Sequence, residues 1–160
     1  MTGEDAGPDP TRVVADADVL AADLLVGGAA RDALDRLRRH SWLDLVATAP
    51  LLHDAEAVVA ELAGPGLADD WRELLAARAV LVDQPAGDHP ALAAALHGDA
   101  AHLLSFDDRL RSARAGTELR GVVDVSVRSP DAFAAVFDPA AVYETAVGAD
   151  YPGPDRDPRA

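Results

Sequence analysis

VVADADVL, residues Val13 to Leu20, joins a short apolar run to two carboxylates that follow it directly. The run Val13–Ala15 is typical of a strand buried on both faces of a parallel sheet. Asp16 and Asp18 fit only where such a strand leaves the sheet, and open α/β sheets bind ligands at that edge. The stretch therefore predicts either a functional site or, because Asp is a favoured N-cap residue, the cap of a helix that begins near Val19.

Strand-like and helix-like segments alternate through the rest of the chain. Four more apolar runs predict strands at residues 43–48, 80–82, 102–106 and 122–127. The segments between these runs have apolar residues at helical spacing. The alternation indicates an α/β fold, with one parallel sheet, right-handed crossovers and helices on both faces of the sheet.

Local signals also mark helix starts and the limits of the domain. The pair Asp69–Asp70 predicts the cap of one helix, and Ser129–Pro130 predicts the start of the last one. The core-facing residues of that last helix are expected to be Phe133, Val136 and Phe137. Residues 1–11 and 148–160 are polar and rich in Pro and Gly, so we expect a disordered leader and a disordered acidic tail around one domain at residues 12–147.

The composition restricts both the core and the metal chemistry. The chain has 160 residues, of which 49% are hydrophobic and 4% aromatic, so Ala, Val and Leu must build the core. It contains no Cys, which excludes disulfides and thiolate metal sites and leaves oxygen or imidazole ligands. No apolar run approaches the ~20 residues of a membrane span, and the N-terminus is acidic where a signal peptide is basic. We therefore expect a cytoplasmic protein.

The charge of the chain is strongly acidic. A net charge of -14 comes from 28 acidic residues against 14 arginines, and Lys, Asn and Ile are absent. The three missing residues all have A/T-rich codons, which indicates a GC-rich genome, and the Asp excess indicates a salt-loving host, such as a halophilic archaeon. In molar salt the Debye length is only ~3 Å, so this charge does not exclude a polyanionic partner.

Several acids stand where a parallel sheet would bring them to one edge. Asp107 follows an apolar run, as Asp16 does, and Asp54 lies in the first turns of the helix after the second predicted strand. Asp88 opens the helix that leads into the fourth strand, where it is either a site residue or a helix cap. If the first and fourth strands are neighbours, Asp16, Asp18 and Asp107 come within reach of one another.

In the order of these acids, the chain resembles the PIN domain nucleases over nearly all of residues 12–137. The matching stretches are VVADADVL, the acid Asp54, DHPALAAAL with Asp88, LLSFDDRL with Ser105 and Asp107, and the closing VVDVSVRSPDAFAAVF. The resemblance implies a single PIN-like three-layer domain with strand order 3-2-1-4-5. Asp18 stands where the family has Asn, Phe106 where Gly is common, and Asp54 where Glu is usual. Glu56 stays an alternative to Asp54 as the second acid.

The resemblance implies a metal-dependent endoribonuclease that hydrolyses RNA phosphodiester bonds with a metal-activated water. The implied ligands of Mg²⁺ or Mn²⁺ are Asp16, Asp54, Asp88 and Asp107, with Asp18 and Ser105 as orienting groups. Oxygen donors alone suit these ions, and a nest of carboxylates needs a cation to neutralise it. Near the site, Arg109, Arg111 and Arg114 are either phosphate contacts or simply exposed arginines. His53 and His89 lack zinc-type spacing and are interpreted as bystanders.

Two other functions stay open. Haloacid dehalogenase-like phosphatases also have a strand that ends in Asp-x-Asp, and for them Asp107–Asp108 would be the paired metal acids and Thr48 the phosphate-binding hydroxyl. That family needs a Lys before the paired acids, for which Arg78 is a poor substitute. The other alternative is a degenerate PIN fold that binds without catalysis. Because many PIN nucleases are toxins, an antitoxin protein and a homodimer are partners to consider, whereas no membrane contact is expected.

Overall fold

The computed structural model describes residues 7–84, 89–111 and 125–159. The described strands are β1 (Asp9–Ala15), β2 (Asp44–Ala47), β3 (Val80–Leu81), β4 (Ala100–Leu104) and β5 (Ser126–Arg128). All of them are parallel and lie in one sheet in the order β3-β2-β1-β4-β5. The predicted α/β class, the three-layer architecture and the strand order are confirmed.

Helices connect and flank these strands. In chain order they are α1 (Ala17–Leu25), α2 (Gly28–Arg38), α3 (Ala49–Ala63), α4 (Pro65–Arg78), α5 (Pro90–His97), α6 (Asp108–Arg111), α7 (Pro130–Val136) and α8 (Pro139–Val147). Within the described ranges, no helix combines the length and the hydropathy needed to cross a membrane.

Strand β1 is the centre of the sheet, as its apolar run predicts. Val13, Val14 and Ala15 have no exposed surface, because β2 and β4 pair with β1 on its two sides and helices cover both faces. Val13 lies opposite Leu45 on one side and opposite His102 on the other. The chain leaves β1 towards β2 and later returns to β4, so the carboxyl ends of β1 and β4 meet at a topological switch point.

Two strands differ in extent from the prediction. β1 begins at Asp9, inside the expected leader, where the Asp9 main-chain N donates to the Asp99 carbonyl at 2.7 Å. β4 spans Ala100–Leu104 instead of residues 102–106. It ends before Ser105 because the Ser105 hydroxyl accepts a hydrogen bond from the Asp107 main-chain N, which turns the chain. For the last strand, residues 122–124 of the prediction lie outside the described residues.

Two predictions about helices are wrong. Asp69 and Asp70 do not cap a helix, because α4 starts earlier, at Pro65, with Gly64 at the N-cap position and a proline in the first turn.

The second wrong prediction concerns Val136, which was expected to face the core but is 60% exposed. On α7, the rings of Phe133 and Phe137 stack at 4.6 Å and fill the core-facing side, which leaves Val136 on the flank. The Ser129 cap of that helix is confirmed, since its hydroxyl accepts from the Ala132 main-chain N.

The C-terminal segment, residues 149–159, has neither helix nor strand, yet it packs against the end of α2. Main-chain N atoms of Asp155 and Arg156 donate to the Arg39 carbonyl at 2.9 and 3.1 Å. Asp155 accepts from the Ser41 main-chain N at 2.7 Å. These contacts, together with a hydrogen bond between the Tyr151 hydroxyl and the ring of buried His40, fix a segment that was expected to be a disordered tail.

Candidate functional site

Asp16 lies at the carboxyl end of β1 and serves as the N-cap of α1. Its Oδ1 accepts from the Ala17 main-chain N at 2.8 Å, and its Oδ2 accepts from the Ser105 hydroxyl at 2.9 Å. The Asp16 main-chain N donates to the Leu104 carbonyl at 2.9 Å, which ties the end of β1 to the end of β4. The half-buried carboxylate is therefore both a helix cap and a member of a polar group at the sheet edge.

Ser105 links Asp16 to Asp107 through its hydroxyl. It has no exposed surface, and its hydroxyl donates to Asp16 while it accepts from the Asp107 main-chain N at 3.0 Å. The Ser105 main-chain N donates to the Arg128 carbonyl at 2.9 Å, so the ends of β1, β4 and β5 meet at this one residue. A buried hydroxyl with partners on both sides fixes the orientation of Asp16 and the path of the chain into Asp107.

Asp107 follows Ser105 at the start of the short helix α6. Its Oδ1 accepts from the Arg109 main-chain N at 2.9 Å, and the Arg109 guanidinium lies 3.8 Å away. The Asp107 side chain is 40% exposed and that of Arg109 is 95% exposed. Solvent therefore reaches both groups, and an anionic ligand that approached this edge would meet the Arg109 cation.

Two other predicted acids, Asp18 and Asp54, lie on the surface. Asp18 is exposed in the first turn of α1, and Asp54 is exposed one turn into α3. Glu56, the alternative to Asp54, forms an ion pair with Arg72 of α4, with a Glu56 Oε1 to Arg72 Nη1 distance of 2.7 Å. This pairing directs Glu56 towards α4, whereas Asp54 has no ion pair among the described residues.

The structure thus brings three of the predicted site residues together, namely Asp16, Ser105 and Asp107. No hydrogen bond among the described residues connects Asp54 to them, and Asp88 and Arg114 lie outside the described residues. Over the described ranges, Asp16, Asp54 and Asp107 do not bring three carboxylate oxygens within 4.8 Å of one another. The group that does is Asp69, Asp70 and Glu73, which are exposed on α4 and adjacent through helical spacing alone.

The donor set at the sheet edge fits a hard divalent cation. Asp16 and Asp107 offer carboxylate oxygens, which Mg²⁺ and Mn²⁺ prefer. Mg²⁺ is commonly held by one or two carboxylates and keeps several waters, so these two side chains are of the right kind for such an ion.

Two further polar residues, Thr48 and Gln84, follow β2 and β3 at this edge, and only Thr48 was considered from the sequence. Thr48 was considered only as a phosphate ligand of the phosphatase alternative, yet it is fully buried, caps α3 through Leu51 and donates its hydroxyl to Gln84. Arg78 precedes β3 and therefore lies at the opposite edge of the parallel sheet from Asp16. Gln84 carries no local sequence signal, since it is a single polar residue after a two-residue strand.

A comparison with family models gives one match, which spans residues 7–159 and is described as a family of unknown function, DUF7384. The chain belongs to the DUF7384 family. No curated protein and no solved structure matches it. The family match includes the C-terminal segment that packs on α2, so in DUF7384 this segment is part of the domain.

The histidines of this DUF7384 chain are not placed as ligands at the sheet edge. His53 and His89 are exposed, and neither has a described hydrogen bond to Asp16 or Asp107. His102 lies inside β4, where its ring packs edge-on against Phe133 and Phe137 at 5.5 Å. Burial, with a smaller contribution from the charge of Arg128, lowers the pKa of His102 from 6.5 to about 4. The His102 ring is thus a neutral core group at neutral pH.

Proposed function

We propose that this DUF7384 chain is a metal-dependent endoribonuclease. The observation that carries the proposal is the hydrogen-bonded connection from Asp16 through Ser105 to Asp107 at the switch point between β1 and β4. Open parallel sheets bind ligands at that position, and carboxylates with an orienting hydroxyl are suited to holding Mg²⁺ or Mn²⁺ there.

In the proposed mechanism each residue of the site has one task. Asp16, Asp88 and Asp107 would hold the ion, and Asp54 would bind it directly or through water. Ser105 and Asp18 orient the carboxylates, and the exposed Arg109 cation meets the phosphate backbone. When bound, the ion lowers the pKa of a water and offsets the charge that develops on the leaving oxygen.

We further propose a substrate, a compartment and partners for this nuclease. The substrate is RNA, the compartment is the cytoplasm of a salt-rich cell, and the inhibitory partner is an antitoxin if the nuclease is the toxin of a pair. A homodimer is compatible with this setting. The acidic surface does not prevent contact with RNA, because molar salt screens charges beyond ~3 Å.

A second candidate function is binding without catalysis. One observation favours it: in the described part of the chain, Asp16, Asp54 and Asp107 do not form a compact three-carboxylate group. A fold that keeps the sheet edge but lacks a full ligand set would retain RNA binding and lose turnover.

The decisive experiment compares two neighbouring substitutions, Asp107→Asn and Asp108→Asn. End-labelled single-stranded RNA is incubated in molar KCl with and without Mn²⁺, and an aryl phosphate is assayed in parallel. Mn²⁺ binding is measured by calorimetry, which does not depend on the choice of RNA. The nuclease proposal expects Mn²⁺ binding and RNA cleavage by the wild type and by Asp108→Asn, and the loss of both in Asp107→Asn.

Other results would redirect the proposal. Release of phosphate from the aryl phosphate, lost in both variants, would support the phosphatase. RNA binding without turnover, together with no Mn²⁺ binding, would support the degenerate binding module. Cleavage that persists in Asp107→Asn would contradict the proposed ligand set.

A further inference from the structure

A large cavity lies at the sheet edge opposite Asp16 and Asp107. Its volume is about 1050 Å³, and its walls come from the end of α1, the inner face of α2, the start of β2, the second half of α4 and the C-terminal residues 156–159. Ligand pockets in proteins commonly measure ~300–1,000 Å³, so this cavity has the capacity for a small organic molecule. It is separate from the proposed nuclease site, since Asp16 and Asp23 lie at the two ends of α1, ~10 Å apart along the axis.

The lining combines an apolar wall with a concentration of positive charge. Seven leucines and Trp71 provide the apolar surface. Five of the chain's 14 arginines line the cavity, against only two aspartates, although the chain as a whole carries a net charge of -14. The cavity is thus locally cationic in an otherwise anionic protein, and charge complementarity favours an anionic ligand.

Part of that charge is held in a rigid network. Arg38 pairs with the buried carboxylate of Asp23 and, at 2.7 Å, with Asp35. Arg159 of the C-terminal segment forms two hydrogen bonds to the Asp35 carboxylate, at 2.8 and 2.9 Å. Burial alone would raise the pKa of Asp35, but hydrogen bonds from Arg159 and Arg38 bring it below its ordinary value. This network neutralises itself and forms one wall of the cavity.

Of the three other arginines of the lining, Arg31 and Arg156 are held by main-chain contacts. Arg31 donates to the Asp23 and Leu24 carbonyls at the end of α1, at distances between 2.8 and 3.1 Å, without a carboxylate among these partners. Arg156 is positioned by its main-chain N, which donates to the Arg39 carbonyl. Asp23 also has one carboxylate oxygen, Oδ1, that is buried without a hydrogen-bond partner among the described residues. Because this oxygen would repel an anion, the anionic head of a ligand belongs beside the arginines and away from it.

We propose that this cavity binds an amphipathic carboxylate, a ligand with an extended apolar body and one anionic head. The leucines and Trp71 enclose the apolar body, and the cations of Arg31 and Arg156 face the head. RNA does not fit this lining, because an apolar wall leaves most phosphates of a polynucleotide without partners.

The test uses decanoate as the probe, with decylamine and decanol as molecules of the same chain length and a positive or zero charge. Binding to the full chain is measured by calorimetry. We expect saturable binding of decanoate that is at least about tenfold tighter than that of decylamine, which corresponds to one charged contact. Arg156→Ala weakens decanoate binding by about three- to tenfold and leaves decanol unchanged, whereas Arg36→Ala, on α2 outside the lining, has no effect.

A second pair of variants tests the apolar wall without disturbing the core. Leu74 lines the cavity and is 50% exposed, and Leu62 is 71% exposed outside it. Leu74→Asp is expected to weaken binding of both decanoate and decanol by at least about tenfold, and Leu62→Asp to leave it unchanged. Equal binding of decylamine and decanoate, unchanged binding in Leu74→Asp, or no saturable binding of decanoate would each overturn the proposal.

Discussion

His102 makes the stability of the fold depend on pH in a direction that the structure determines. Its ring lies in β4 against Phe133 and Phe137, and its buried Nδ1 makes no hydrogen bond in the described part of the protein. Burial first, and then the charge of Arg128, lowers the pKa of His102 to about 4. The folded protein therefore holds the neutral ring, while the unfolded chain takes up a proton below pH 6.5.

The sign of the effect follows from this difference. Above pH 6.5 both states are neutral at His102, and the ring has no effect on the pH dependence. As the pH falls from 6.5 towards 4, only the unfolded state binds the proton, so the free energy of unfolding decreases. The full interval corresponds to about 3 kcal/mol, at about 1.4 kcal/mol per pH unit. Because the ring keeps some solvent contact, we expect about 1–2 kcal/mol.

The substitution His102→Phe isolates this contribution. It keeps an aromatic ring against Phe133 and Phe137 and removes the titrating group. Urea unfolding at constant salt, measured from above pH 6.5 down to about pH 4.5, should show wild type losing about 1–2 kcal/mol more than His102→Phe. The many carboxylates titrate in both proteins, so their contribution cancels in the comparison.

His97→Gln is the matched control, because His97 is exposed at the end of α5 and should follow the wild-type curve. If the stability curves of wild type and His102→Phe ran parallel across this pH range, the ring would not be held neutral by the fold. That result would refute the reasoning from burial.

Three more predictions concern the sheet edge and the C-terminal segment. Ser105→Ala should lower Mn²⁺ affinity by about 10–100-fold, because the Asp16 carboxylate loses the donor that orients it; calorimetry measures this, and unchanged affinity would contradict the role. Asp16→Asn should change the free energy of unfolding by no more than about 0.5 kcal/mol, since Asn is as good an N-cap as Asp, while Mn²⁺-dependent cleavage falls to background. Arg159→Ala should lower the free energy of unfolding by about 1 kcal/mol and speed hydrogen exchange at the Asp155 and Arg156 amides. Unchanged exchange would mean that the ion pair between Arg159 and Asp35 does not hold the C-terminal segment in place.

Local patterns in the sequence predicted the parts of the fold that depend on local chemistry. The run Val13–Ala15 identified the central strand, because three consecutive buried apolar residues require cover on both faces. Ser129–Pro130 identified the start of α7, because capping depends on neighbouring residues. The prediction from Asp69–Asp70 was wrong because two local start signals lie close together in the sequence. Gly64 and Pro65 form the earlier signal, and α4 begins there.

Features that depend on contacts between distant residues could not be predicted in this way. The C-terminal segment is polar and rich in Pro, which by composition indicates disorder. Its order comes from partners more than 100 positions away, such as Ser41 for Asp155 and Asp35 for Arg159. The choice between Asp54 and Glu56 likewise depends on Arg72, which reaches Glu56 only because α4 packs against α3.

The sequence left two interpretations of Asp16, a helix cap or a site residue, and the structure shows why they are compatible. A carboxylate has two oxygens, and here each has a different partner: Oδ1 accepts from the Ala17 amide and Oδ2 from the Ser105 hydroxyl. The cap bond holds the carboxylate at the positive end of α1, and the Ser105 bond ties it to the residue that follows β4. In the proposed nuclease, capping would help to orient Asp16 towards an ion, because the bond that starts the helix also restricts the rotation of the side chain.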